Sequence, residues 1–226
     1  MTEMHIACEQ NQSYEFDPIR TALLCIDYQQ DFLSKQGLCA DRGLPVDALR
    51  RTLGPSSRVL AGARSGGLTV IHTRECYAAD LSDLNAFRRV RDTIIGAPGP
   101  LGRFLVSGEP GTAIVPEMAP AQSEPVIDKP GFSAFFGTRL DTLLRDSGIS
   151  HLVLVGVTTQ VCISSTLRAA VDHGYFPLVL EDCCAAWDPL DHEASIRTIF
   201  SENHQFGWVS NSDRFLSGLL QSSEMP

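Results

Sequence analysis

The chain has 226 residues, of which 43% are hydrophobic and 20% charged, and its formal net charge is −9. This length and hydrophobic content suffice for one sizeable α/β domain, so we expect residues 1–226 to form a single domain with residues 1–20 as an N-terminal extension. The negative charge argues against nucleic acid or an anionic membrane surface as a partner. No apolar run approaches the ~20 residues of a membrane span, so no membrane association is expected.

Hydrophobic patterning predicts strands and helices that alternate along the chain. The predicted strands, in chain order, are residues 21–27, 68–73, 125–128, 151–157, 177–181 and 207–210. The predicted helices are residues 44–66 (which Gly54-Pro55 can interrupt), 135–147, 162–173, 190–203 and 213–221. Six strands with intervening helices indicate an α/β protein with a three-layer, Rossmann-like, doubly wound fold around a six-stranded parallel sheet.

Residues 74–124 give no clear pattern, because glycine and proline punctuate them repeatedly. A stretch of this length inside a compact domain is usually functional or is ordered by tertiary contacts. We therefore expect one of these two explanations to hold for the segment.

The N-terminal segment and the cysteines both favour a cytoplasmic protein. The first twenty residues contain four acidic side chains and lack the basic-then-apolar order of a signal peptide. Seven cysteines form an odd set without a CxxC pair, which suits a reducing compartment better than a disulfide framework.

Three side chains with catalytic chemistry end or follow predicted strands. Asp27 closes the first strand, Lys129 follows residues 125–128, and Cys162 comes shortly after residues 151–157. The ligand crevice of an open parallel sheet lies outside the carboxyl ends of its strands, so these side chains are expected in one cleft. Taken singly, Asp27 could be a helix N-cap, Lys129 a surface charge and Cys162 a small buried hydrophobic residue. Together they supply the acid–base pair and the nucleophile of covalent hydrolysis.

Cys162 is also predicted to lie in the first turn of the helix 162–173, which Gly174 closes. The unpaired N–H groups and the positive end of a helix favour a thiolate over a thiol. We therefore expect Cys162 to be ionised readily.

Seven segments, in this order along the chain, resemble the isochorismatase-like cysteine hydrolases, and within them the branch that cleaves the small ureides biuret, triuret and ureidoacrylate. The segments are residues 24–32, 71–75, 108–111, 127–130 with 133–135, 156–162, 180–184 and 206–207. The resemblance implies an amidohydrolase without a cofactor, with Asp27, Lys129 and Cys162 as its catalytic triad. It also implies a homo-oligomer, since the family commonly forms tetramers.

In such an enzyme Asp27 accepts the Cys162 proton, the thiolate attacks a substrate carbonyl, and Lys129 keeps Asp27 ionised and oriented. The resemblance implies that the backbone N–H groups of Cys162 and Thr158 bind the oxyanion, and that the Val157–Thr158 peptide bond is cis. Ammonia is the expected leaving group.

Glu202 stands where the biuret- and ureidoacrylate-cleaving relatives have a glutamine, four residues before the Phe206-Gly207 pair. An ionised carboxylate only accepts hydrogen bonds, so Glu202 is expected to bind N–H groups at the far end of the substrate. This favours neutral ureides, triuret slightly ahead of biuret, over ureidoacrylate. The alternative is a solvated helix glutamate. Phe32 and Trp187 are expected to be walls of the cleft.

Other classes of enzyme lack support. No GxGxxG follows the first strand and no GxSxG is present, which argues against a dinucleotide-binding enzyme and the usual serine hydrolase. The D-x-H signature of the nicotinamidase metal site is also missing, so no metal is predicted, and the isolated His72 and His192 are expected to form structural hydrogen bonds. Two interpretations stay open: an amidohydrolase acting on a ureide or other small amide, and a non-catalytic relative that binds a small metabolite or a partner protein.

Overall fold

The structure is a computed structural model that describes residues 4–221. Its strands are β1 (Met4–Ala7), β2 (Ser13–Phe16), β3 (Thr21–Ile26), β4 (Thr69–Glu75), β5 (Pro98–Gly99), β6 (Gly102–Arg103), β7 (Val126–Lys129), β8 (His151–Val157), β9 (Phe176–Ala185) and β10 (Trp208–Ser210). Its α-helices are α1 (Gln30–Leu33), α2 (Leu38–Asp41), α3 (Val46–Arg50), α4 (Leu53–Ser65), α5 (Ala86–Arg91), α6 (Leu140–Asp146), α7 (Ser164–Asp172), α8 (Pro189–His204) and α9 (Ser212–Gln221). None of these helices combines the length and hydropathy needed to cross a bilayer.

Six strands form an all-parallel sheet in the order β10-β9-β8-β3-β4-β7, which confirms the predicted fold class. From the central strand β3 the chain builds outward through β4 to β7. It then returns to β8 on the other side of β3 and continues to β9 and β10. The direction of winding therefore reverses between β3 and β8, which is where an open α/β sheet forms its ligand crevice.

Two hydrophobic cores cover the two faces of the sheet, because successive residues of a strand point to opposite faces. Leu23 and Cys25 of β3 pack in one core with α4, α9 and the hairpin formed by β1 and β2. Leu24 and Ile26 pack in the other with α6, α7 and α8. The sheet is thus the middle of three layers, and its strands are apolar on both faces.

The predicted N-terminal extension is held on the sheet. The Tyr14 hydroxyl donates to the Phe176 carbonyl over 2.7 Å, and the Ser210 hydroxyl donates to the Ala7 carbonyl over 2.7 Å. Since the hairpin also buries apolar side chains against α9, it belongs to the same core as the rest of the chain.

Several predicted boundaries are corrected. The helix predicted over residues 44–66 is divided into α3 and α4, and Pro55 lies in the first turn of α4, where its missing N–H is tolerated. The helix predicted over residues 135–147 begins later, because Gly137 takes a φ of +67° and the Thr138 hydroxyl accepts from the backbone N–H of Leu140. Strand β4 continues to Glu75, two residues beyond its predicted end.

The unpatterned segment of residues 74–124 contains α5, the short β5–β6 ladder and two 3₁₀ turns. Tyr77, Phe104 and Leu105 from this segment form a small third core with Leu38. The segment is therefore ordered by tertiary contacts rather than by a local repeat of apolar residues.

Gly156 lets the two central strands approach each other closely. Its φ is +143°, and a Cβ at this position would lie 2.1 Å from the carbonyl oxygen of Ile26. Only glycine fits here, so this residue sets the spacing between the end of β3 and the end of β8.

Candidate active site

Asp27, Lys129 and Cys162 meet at the carboxyl edge of the sheet. The Lys129 Nζ lies 2.7 Å from the Asp27 Oδ2 and 3.4 Å from the Cys162 Sγ. Asp27 and Lys129 are 0% exposed and Cys162 is 5% exposed. The structure thus brings together the three residues that the sequence singled out.

Neighbouring strands hold the Asp27 carboxylate in place. Asp27 has a φ of +57°, a left-handed conformation that aspartate adopts more readily than most residues. Its Oδ1 accepts a 2.9 Å hydrogen bond from the Thr73 hydroxyl, and its backbone N–H donates to the Thr73 carbonyl. The other carboxylate oxygen, Oδ2, contacts the Lys129 ammonium.

Lys129 ends β7, and its ammonium is fixed from three sides. Besides its contacts with Asp27 and Cys162, the Nζ donates to the Gly131 carbonyl over 2.9 Å. Burial alone would lower the pKa of Lys129, but the negative charges around it, that of Asp27 first, raise this pKa above its ordinary value. The side chain is therefore a permanent cation at neutral pH.

Cys162 lies in a π-helical turn, Thr159–Ile163, that leads into α7. Burial raises the pKa of its thiol well above the ordinary value, and the opposing charge of Lys129 does not compensate. The expectation of a readily ionised thiol is therefore wrong, because the loss of hydration destabilises a buried thiolate more than the positive charge of Lys129 stabilises it. The thiol keeps its proton until a base accepts it, and a carboxylate oxygen of Asp27 lies within 4.8 Å of the sulfur.

Glu75 is a third charged residue at this centre, beside Asp27 and Lys129, and the sequence analysis missed it. It ends β4, is 4% exposed, and its Oε2 lies 3.9 Å from the Cys162 Sγ. The side chain of Gln29 clamps its backbone, donating to the Glu75 carbonyl and accepting from the Glu75 N–H. A polar residue at the end of a strand is the signal that identified Asp27, and it would have found Glu75 if the predicted strand had not stopped at residue 73.

Asp27, Glu75 and Cys162 also form a group of metal-ligand type, with one ligand atom of each within 4.8 Å of the others. The ammonium of Lys129 already lies in contact with two of these residues. A metal ion in the same place would meet this fixed positive charge at short range, so the donor set does not fit a metal. A site without metal remains our prediction.

The two histidines considered above are hydrogen-bonded elsewhere. The Nε2 of His72 lies 3.0 Å from the Glu124 Oε2, and the Nδ1 of His192 lies 2.9 Å from the Thr159 hydroxyl. Neither belongs to the group of acidic residues and Cys162 described above.

A cavity of about 220 Å³ opens in front of Cys162. Its walls are largely apolar and include Phe32, Phe104, Phe132 and Trp187. Its polar lining consists of Glu75, Arg88, Asp92, Thr158 and Cys162. A small apolar cleft with a few convergent polar groups is the usual form of a small-molecule site.

Of the residues expected to contact a substrate, Phe32, Thr158 and Trp187 line this cavity. The Val157–Thr158 peptide bond is cis, as the resemblance implied. Glu202 does not line the cavity. It is exposed, with a φ of +49°, where the last turn of α8 departs from helical geometry. Its position does not support contact with a substrate held at Cys162.

Arg88 is the second residue that the sequence analysis missed. It belongs to α5, is 5% exposed, and its Nη2 donates to the Glu75 Oε1 over 2.5 Å. Its Nε forms an ion pair with Asp92, and its guanidinium carbon lies 4.1 Å from the centre of the Phe132 ring. No sequence signal separated Arg88 from Arg89 and Arg91 on the same short helix.

A doubly wound parallel sheet with a buried Cys–Lys–Asp cluster at its switch point has the groups that covalent hydrolysis by a cysteine requires. The sequence agrees, because residues 21–214 match the isochorismatase domain family. The chain therefore belongs to the isochorismatase family.

Three relatives illustrate the similarity. The chain is 32% identical to the ureidoacrylate amidohydrolase RutB of Pantoea ananatis (strain LMG 20103), over 98% of this chain and 91% of the relative. A cysteine hydrolase from Pseudomonas syringae pv. phaseolicola 1448A has the same fold, with a TM-score of 0.81 at 24% identity over 98% of this chain and 100% of that one. N-carbamoylsarcosine amidase from Thermoplasma acidophilum gives a TM-score of 0.66 at 26% identity, over 86% of this chain and 97% of that one.

Proposed function

We propose that the protein is a cysteine-dependent amidohydrolase that cleaves a C–N bond of a small ureide and releases ammonia through a covalent Cys162 intermediate. The observation that carries this proposal is the buried ion pair of Lys129 and Asp27 beside a thiol at the floor of a small cavity. Burying two charges costs free energy, and a protein that merely binds a metabolite gains nothing from placing them against a thiol.

The first half of the reaction forms the intermediate. Asp27 accepts the thiol proton of Cys162, and the sulfur attacks the substrate carbonyl carbon while Lys129, 3.4 Å away, stabilises the developing thiolate. The backbone N–H groups of Thr158 and Cys162 are the donors assigned to the oxyanion. As the tetrahedral adduct collapses, the C–N bond breaks and Asp27 returns the proton to the departing nitrogen. Ammonia leaves, and the remaining acyl group stays on the sulfur.

The second half restores the enzyme. Asp27 takes a proton from water, and the resulting hydroxide attacks the acyl carbon. The C–S bond then breaks, the thiol regains its proton, and the hydrolysed acyl group leaves as a carbamate product. The raised pKa of Cys162 fits this cycle, because the thiol is ionised during attack rather than before it.

Two of the relatives support a ureide as the substrate. Ureidoacrylate amidohydrolase and N-carbamoylsarcosine amidase are named after compounds that share a carbamoyl group on nitrogen. Both compounds also have a carboxylate, whereas the cavity of this chain is lined by the carboxylates of Glu75 and Asp92. The neutral ureides triuret and biuret are therefore our first candidates. Ureidoacrylate is the second, because of the 32% identity to its amidohydrolase.

Ammonia release from purified protein tests the proposal. Triuret, biuret and ureidoacrylate are each incubated with the wild type and with Cys162→Ala, and kcat/KM is measured. We expect release from at least one ureide by the wild type and none by Cys162→Ala. Binding of a ureide without any release of ammonia would instead support the non-catalytic alternative.

Location and assembly are further proposals. We propose a cytoplasmic location because seven cysteines without a CxxC pair suit a reducing compartment, and fractionation of the host cell tests it. A homotetramer follows from the resemblance, and sedimentation equilibrium of the purified chain tests it.

A further inference from the structure

One nitrogen of the Arg88 guanidinium, Nη1, contacts no acceptor in the part of the chain that the structure describes. The guanidinium is buried in the wall of the cavity, and its Nη1 has no hydrogen-bond partner among residues 4–221. A buried N–H without an acceptor is destabilising, and more so when the group is charged. Such a donor in the wall of a substrate cavity is best explained by an acceptor that the substrate provides.

The position of Arg88 relative to the nucleophile is fixed by Glu75. One oxygen of this carboxylate accepts from Arg88 and from the Tyr77 hydroxyl, while the other lies 3.9 Å from the Cys162 sulfur. Arg88 is therefore one carboxylate away from the attacking atom.

The charges around the cavity decide what kind of acceptor fits. Three carboxylates, those of Asp27, Glu75 and Asp92, face two cations, Lys129 and Arg88. The charge of Arg88 is thus already matched by Glu75 and Asp92. A substrate carboxylate would add a second excess negative charge to a poorly solvated site, whereas a neutral carbonyl would add none.

We infer that Arg88 is a specificity-determining residue, whose Nη1 donates a hydrogen bond to a neutral carbonyl oxygen of the substrate beyond the scissile C–N bond. This inference rests on the proposed ureide hydrolysis and deepens it, because it names the feature that the enzyme selects. The preferred substrates have a second carbonyl one nitrogen away from the first and no negative charge. Glu75 has the supporting task of holding the guanidinium in place.

The test compares Arg88→Lys with wild type on two substrates. Lysine keeps a positive charge opposite Glu75 but removes the Nη1 donor. Biuret has the second carbonyl, whereas N-methylurea has the same terminal carbamoyl group without it. Arg91→Lys is the matched control, because Arg91 is an exposed arginine of the same helix.

We expect Arg88→Lys to lower kcat/KM for biuret by roughly ten- to a hundredfold, the loss that corresponds to one charge-assisted hydrogen bond. The value for N-methylurea should change little, so the preference for biuret should collapse. Arg91→Lys should leave both values as they are. If Arg88 were merely structural, both substrates would suffer equally, and that result would overturn the inference.

Activity on ureidoacrylate provides a second test of the inference. If Arg88→Lys impaired ureidoacrylate more than biuret, the acceptor would be a carboxylate and the inference would be wrong. Conversely, Asp92→Asn removes one negative charge from the cavity and should raise the activity on ureidoacrylate several-fold relative to biuret. An unchanged ratio would contradict the charge argument.

Binding separates the inference from the proposed function. Calorimetric titration of biuret and N-methylurea into Cys162→Ala, with and without Arg88→Lys, gives dissociation constants that need no turnover. If the wild type released no ammonia from any ureide, the proposed function would fail. The inference would still stand if Arg88→Lys weakened the binding of biuret alone, and it would fall if biuret did not bind.

Discussion

Replacing Lys129 with methionine tests the buried ion pair most directly. Methionine has a similar length and no charge, so the change removes the cation that contacts Asp27 at 2.7 Å and Cys162 at 3.4 Å. Because Asp27 is 0% exposed, its carboxylate would be left buried without its ion-pair partner. Lys129→Met should therefore lower both stability and activity.

The expected loss of stability is large. Removing one partner of a buried ion pair costs about 3–5 kcal/mol. For a chain of this size, each kcal/mol corresponds to roughly 2–4 °C in Tm, so the melting temperature should fall by roughly 6–20 °C. The raised pKa of Lys129 means that its contribution is complete at neutral pH and is lost as pH rises through the folded-state pKa, so pH 7 is a suitable condition.

The assay is thermal unfolding of four proteins at pH 7. Lys35→Met is the control, because Lys35 pairs with Asp47 at 3.4 Å with both side chains largely exposed, and such pairs contribute about 0–1 kcal/mol. The double variant Asp27→Asn/Lys129→Met should regain much of the stability, since it leaves no unpaired charge. If Lys129→Met melted like Lys35→Met, or if the double variant gained nothing, the pair would not be ionised as described.

Activity should respond even more strongly. Lys129→Ala and Lys129→Met should lose several orders of magnitude in kcat, as expected when the cation beside the nucleophile is removed. Lys129→Arg should fail nearly as badly, because a planar guanidinium does not fit the enclosed place of an ammonium. A rate close to wild type in Lys129→Ala would reduce the triad to Asp27 and Cys162.

Four further predictions concern individual side chains. Cys162→Ser and Cys162→Ala should abolish ammonia release but retain ureide binding in calorimetry, and a near-wild-type rate in either would remove Cys162 from the mechanism. Since burial raises the thiol pKa, the rate of alkylation of wild-type Cys162 by iodoacetamide should still rise above pH 9, with substrate protecting; a plateau near neutral pH would contradict this. Glu202→Gln should leave the ranking of triuret, biuret and ureidoacrylate unchanged, because Glu202 lies outside the cavity, and an altered ranking would place it in contact with substrate. Burial alone would raise the pKa of Glu124, but hydrogen bonds, that from Arg64 first, hold it at about 2. The resulting stability is present above about pH 4.5 and is lost as pH falls toward 2, so Glu124→Gln should flatten this acid dependence in urea unfolding; an equally steep loss in the variant would refute it.

Much of the scaffold and the triad was visible in the sequence. Strands that are buried on both faces appear as continuous apolar runs, so the six strands of the sheet could be located without coordinates. A polar residue that ends such a run has to emerge at the carboxyl edge of a parallel sheet. This rule was enough to predict that Asp27, Lys129 and Cys162 share one cleft.

The boundaries of helices and strands were harder to predict from the sequence, and one wrong boundary concealed a residue of the site. Hydropathy ended the strand β4 at residue 73, because Arg74 and Glu75 are charged, whereas pairing with β7 carries it on to Glu75. The pairing is a tertiary interaction, and it changes which residue faces Cys162. Glu202, by contrast, was predicted to contact substrate and lies outside the cavity. Its fixed distance along the chain from Phe206-Gly207 does not determine where its side chain lies in space.

The properties of the site were decided by tertiary structure alone. Arg88 looks like its neighbours in the sequence, and it is buried beside Glu75 because the segment of residues 74–124 folds over the carboxyl edge of the sheet. The pKa of the Cys162 thiol is likewise raised, whereas its place near a helix end predicted a lowered pKa. A helix end acts locally and can be recognised from sequence, whereas desolvation depends on how many groups from distant strands and loops exclude water from the sulfur.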